Sequence, residues 1–148
     1  MGGVDLVPTV FHFAGLRLPW KMHGHDLSPL LGHTEKPWRH PVLLTLTGRR
    51  YGADTNVVPD DPDERDINGI PWWIFLRKGK LKYIRRLVEG EIEELSDLAA
   101  DPEELTNLAL QPGYQSTLAE FRKALVRELR RTDAGMARQL PSVAQGIR

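Results

Sequence analysis

Apolar side chains recur at Leu6, Val7, Val10, Phe11, Phe13 and Ala14, a spacing that predicts a helix over residues 4–14. Asp5 stands near its start and Gly15 is its stop, while Pro8 falls in the first turn, where a missing N–H costs little. The apolar stripe is wide for so short a helix. Between residues 17 and 41, Pro19, Gly24, Pro29, Gly32 and Pro37 break the chain into loops with at most one helical turn, at 27–31. Residues 41–47, rich in Val, Leu and Thr and bounded by Pro and Gly, predict a buried strand.

Asp54, Asp60, Asp61, Asp63, Glu64 and Asp66, with Pro59 and Pro62, make 51–69 read as a long surface loop. Residues 72–77 and 81–87 are aromatic and β-branched runs joined by Lys78, Gly79 and Lys80, which predicts a β-hairpin. A further strand is expected over 93–98, then a single helical turn opened by Asp101, Pro102 and Glu104. Leu118, Phe121, Leu125 and Leu129 repeat at helical spacing between Pro112 and Thr132 and predict a long amphipathic helix, with a basic end that suits its macrodipole. From Asp133 no period is evident. The expectation is an α+β fold: a small antiparallel sheet of about four strands with the long helix laid across one face.

Composition removes several functions. Lys plus Arg and Asp plus Glu each total 20, so no global basic field exists to recruit nucleic acid or anionic lipid. With no cysteine there is no disulfide, thiolate metal site or cysteine nucleophile. Apolar runs fall far short of the ~20 residues that cross a bilayer, and residues 1–10 do not read as a signal peptide.

Several groups invite a chemical reading. His23, His25, His33 and His40 lie close in sequence, but no carboxylate spacing completes a metal site with them; solvated loop histidines are the plainer expectation. His23 and His25 are the candidates to reach the sugar or aryl group of a substrate. The acidic stretch 60–66 lacks the glycine and closing glutamate of a calcium loop. Trp72, Trp73 and Tyr83 are expected mainly in the core rather than on a sugar platform. Arg77, Lys78, Lys80, Lys82, Arg85 and Arg86 form a basic patch that could attract sulfated glycans, or that simply protects a sheet edge.

Five stretches resemble the sulfatase family, in the family's order. Val4-Asp5-Leu6-Val7-Pro8-Thr9, leading to Ala14-Gly15-Leu16, resembles its "D-hydrophobic-x-P-T … A-G" segment. His23-Gly24-His25-Asp26-Leu27-Ser28-Pro29-Leu30-Leu31 looks like "D-G-x-S-L-x-P-L-L", and Trp38-Arg39 to Leu44 like "W-R-x-x-V-L". Gly79-Lys80-Leu81-Lys82-Tyr83-Ile84 is similar to "G-x-x-K-Y-I". The most specific match sets Glu94-Leu95-Ser96-Asp97-Leu98, Asp101-Pro102-Glu103-Glu104 and Asn107-Leu108-Ala109 against "E-L-Y-D-L-x-x-D-P-x-E-x-x-N-L-A". Ser96 stands where the family usually has Tyr, His23 where it has Asp, and Ala99 where a charge is common.

This resemblance implies a C-terminal portion. Residues 1–40 would be the end of the large α/β domain, 41–132 the C-terminal α+β subdomain and 133–148 a tail. Family members attack the ester with a hydrated formylglycine, made from the Cys or Ser of "C/S-x-P-x-R", beside a calcium ion. Ser28, Ser96, Ser116 and Ser142 all fail that pattern, so formylglycine and calcium are expected in an N-terminal part, and the chain alone is expected to be inactive. A separate chain carrying that part is the implied partner, and a stand-alone binder of sulfated carbohydrate is the alternative. Family members are often exported. The helix over 4–14 would pack on a sheet the chain does not contain, leaving Leu6, Val7, Val10 and Phe11 partly exposed.

Overall fold

The computed structural model describes residues 2–33 and 35–144. A 3₁₀ turn, Gly3–Asp5, leads into helix α1, Leu6–Phe13, and after a loop comes the single turn α2, Ser28–Leu31. Strands follow at Val42–Leu46 (β1), Asp66–Ile67 (β2), Ile70–Pro71 (β3), Trp73–Lys78 (β4), Leu81–Arg86 (β5) and Glu94–Asp97 (β6). The long helix α3 is Gln115–Arg131. The fold is α+β, as the sequence predicts.

β1, β4, β5 and β6 form one antiparallel sheet in the order β1-β4-β5-β6. The β4–β5 hairpin turns on Gly79 and Lys80, and Gly79 holds φ 60°, a left-handed geometry that glycine adopts without strain. Because side chains alternate across a strand, the register sets Leu43, Leu76, Tyr83 and Leu95 in one row on one face. Leu76, Tyr83 and Leu95 are fully buried there, in one cluster with Leu118, Phe121, Leu125 and Leu129 of α3. The residues after α3 extend this core. Met136 is buried, and Ser142 and Ala144 exchange backbone hydrogen bonds with Gly90 and Glu91.

Three local expectations need correction. The strand expected to be buried over 41–47 is an edge strand, β1, whose Leu44 is 53% exposed. The stretch 51–69 contains 3₁₀ turns at Gly52–Thr55 and Pro62–Arg65, and β2 and β3 pair around Asn68 and Gly69, both at positive φ. Asn-Gly is the signal for such a turn, masked here by the surrounding acidic residues. At Asp101 a hydrogen-bonded turn replaces the helical one, and Glu104 sits at φ 57°, which stops any helix from propagating.

Candidate functional site

α1 docks by its polar side. Asp5 and Thr9 are buried, while Leu6, Val10 and Phe13 are each more than 60% exposed. The Asp5 carboxylate accepts the backbone N–H of Gly2 at 2.7 Å and of His25 at 2.8 Å. The Thr9 hydroxyl donates to the Asp5 carbonyl and accepts the N–H of Leu27 at 2.9 Å. Gly24 lies so close to the start of α1 that a Cβ there would fall 2.0 Å from the Val4 carbonyl oxygen. These contacts pin the 23–27 loop to α1 and leave the apolar stripe without a partner among the described residues.

The structure brings three of the four loop histidines near one another and leaves His33 apart. His25 stacks on His40 with ring centroids 3.8 Å apart, and Trp38 meets both rings edge-on. The Nε2 of His25 is enclosed without a hydrogen-bond partner. Burial first, then the neighbouring His40 and Arg131, holds its imidazole below the ordinary 6.5. His23 lines, with His25, a pocket of about 230 Å³, and its carbonyl accepts from Arg131 at 2.9 Å. Arg131 also pairs with the buried Glu128 at 2.7 Å and so ties the loop to α3, a role its place in a basic helix end does not reveal. His33 pairs instead with Glu35 on the open surface.

The 93–109 segment is held by its own polar side chains. Asp97 accepts the N–H groups of Ala99 and Ala100 and pairs with Lys80, which holds its carboxyl below the usual range. Asn107 bridges back, accepting from Leu95 and Ala109 and donating to the Glu93 carbonyl. Buried Glu93 takes hydrogen bonds from Arg122 and the Tyr83 hydroxyl. Burial would raise the Glu93 carboxyl, but Arg122 and then Tyr83 outweigh it and bring it below the ordinary 4.5. Burial, with that hydrogen bond, pushes the Tyr83 phenol upward. Trp72 is buried like Tyr83, and Trp73 is half-buried.

Three of the six cations of the basic hairpin are neutralised: Lys80 pairs with Asp97, Lys82 with Glu104, and Arg86 with Glu91 and Glu94. Among the described residues no three His, Cys, Asp or Glu side chains gather as a metal site would require. With no serine in the required motif either, these residues fit neither calcium nor formylglycine.

No protein-family model matches the chain. The Delta 4,5-hexuronate-2-O-sulfatase of Bacteroides thetaiotaomicron is 32% identical over 82% of the chain, and the choline-sulfatase of Rhizobium meliloti is 33% identical over 80%. The chain belongs to the sulfatase family. It corresponds to a C-terminal portion of a sulfatase and spans about a fifth of the length of these relatives, 22% and 20%. A solved 2-O GAG sulfatase superimposes with a TM-score of 0.68 at 29% identity, covering 95% of this chain and 27% of that one. No helix here is long and apolar enough to cross a membrane, among the described residues.

Proposed function

We propose that the chain is a scaffolding subdomain of a sulfatase and that the 148-residue chain alone turns over no sulfate ester. The observation that carries this reading is the orientation of α1. Asp5 and Thr9 fasten it inward to the 23–27 loop, while Leu6, Val10 and Phe13 stand in solvent. An apolar stripe of this kind stabilises a fold only when covered. The upstream α/β portion, on the same or a separate polypeptide, is the cover we propose; it would supply formylglycine and calcium.

On this reading residues 1–40 close the large domain, 41–132 form the subdomain and 133–148 are a tail. His23 and His25 lie along the seam, where the His23 side chain would approach substrate; the enclosed Nε2 of His25 suits it better to holding the loop. The names of the relatives, a hexuronate-2-O-sulfatase and a choline-sulfatase, support a sulfate ester as the substrate class of the whole enzyme. A stand-alone glycan binder using the hairpin has less support, because Lys80, Lys82 and Arg86 already hold carboxylates.

The test is co-expression with the upstream portion of the Bacteroides relative, cut before its matching segment. Co-purification that Val10→Glu and Phe13→Glu abolish supports the reading. Failure to associate, with the chain monomeric and indifferent to both substitutions, overturns it.

A further inference from the structure

Between α2, residues 36–40 and strands β1 and β4 lies a groove of about 670 Å³. It belongs to the face of the sheet turned away from α3: the register places Val42 beside Arg77 and Leu44 beside Phe75, opposite in sense to the buried row through Leu76. Its size suits a sugar unit or a small aromatic molecule.

The lining has a particular chemistry. Trp38, His40 and Phe75 supply rings, Leu30 supplies apolar contact, and Lys36 and Arg77 supply positive charge. Among the described residues no carboxylate lines the groove. Lys80, Lys82 and Arg86 of the same hairpin are paired, whereas Lys36 and Arg77 have no acidic partner among the described residues. The Arg77 Nε donates to the Gly79 carbonyl at 3.2 Å, which orients the guanidinium and leaves its outer nitrogens free to donate. Ring walls with unpaired cations suit a ring that bears an anion: the aromatic face takes the C–H face of a sugar, and the guanidinium takes the oxyanion in a bidentate grip.

We infer that this groove binds a sulfated sugar unit, with its ring against Trp38 and its sulfate met by Arg77 and Lys36. The choice of sulfate over another anion rests on the sulfatase reading above. The site itself rests on the groove, which would hold one unit of a sulfated chain.

The experiment is titration of the ¹⁵N-labelled 148-residue chain with N-acetylglucosamine 6-sulfate at low salt, followed by NMR at the Trp38 indole N–H and the Gly79 amide. Saturable shifts at both are expected. Arg77→Gln should weaken binding about tenfold, as for loss of one charge-assisted hydrogen bond. Trp38→Ala should abolish it, and Lys123→Ala on α3 should leave it unchanged. Absence of saturable shifts, or equal weakening by Lys123→Ala, overturns the site. Equal binding of unsulfated N-acetylglucosamine or of glucuronic acid overturns the assignment of sulfate. None of these results bears on association through α1, so failure here is distinguishable from failure of the scaffolding role.

Discussion

The carboxylate of Asp5, at the start of α1, accepts the backbone N–H of His25, twenty residues on, at 2.8 Å. It turns the helix so that its polar side meets the chain and its apolar side meets solvent. Asp5→Ala removes this acceptor and that for Gly2, leaving the partly buried His25 N–H unpaired at a local cost of about 1 kcal/mol. Amide exchange at His25 and Leu27 should accelerate while the α3-facing strands stay protected. Uniform acceleration across the sheet would mean that α1 and the core are one unit.

Gly24→Ala strikes the same joint. The added methyl meets backbone, the Val4 carbonyl, which has little room to yield, so the loop should lift from α1. Near-UV circular dichroism from the buried Trp72 should persist while the Asp5–His25 bond is lost, as exchange would show.

Acid should loosen this loop before it touches the core. The imidazole of His25 is held below 6.5 in the docked state, so the undocked state takes the proton first. The contribution is therefore complete above pH 6.5 and lost as the pH falls through the docked value. Leu27 amide exchange measured between pH 7.5 and 5 checks this, and His25→Phe should flatten the profile.

Glu93 sets a second, lower window. Its folded carboxyl lies below 4.5, so stability is intact above about that pH and declines as the pH falls further, when the unfolded chain protonates first. Glu93→Gln leaves Arg122 and Tyr83 with a weaker acceptor. A cost of about 2–3 kcal/mol in urea unfolding is expected, toward the low end for a buried pair because Arg122 is partly solvated. The variant's stability should also vary less between pH 5 and 3.

The apolar stripe of α1 should govern association. Leu6→Lys with Val10→Glu should reduce self-association in sedimentation velocity with little change in melting temperature, since these side chains contribute exposed area and few contacts.

Much of the fold was legible because it follows from periodicity. Leu118, Phe121, Leu125 and Leu129 could only be one face of a helix, and the Gly79-Lys80 turn could only join two strands of that composition. The same periodicity misled about β1. Val, Leu and Thr describe a strand but not its place in the sheet order, and Leu44 lies open at the edge. The site was less legible. Sequence spacing brought His23 and His25 forward but could not reveal that His25 stacks on His40, since nothing local encodes a contact closed by the fold. Arg77 and Lys82 read alike as hairpin cations, and the register even pairs them across the hairpin; only Glu104, brought against Lys82 by the fold, distinguishes the free one from the paired one.

Incubating the purified chain with p-nitrophenyl sulfate is the most direct measurement, with release of p-nitrophenol followed over hours. Release no faster than in buffer is predicted, with or without added calcium, because on the proposed reading the nucleophile would belong to the upstream portion. Turnover at enzymatic rates by this chain alone would contradict the scaffolding role.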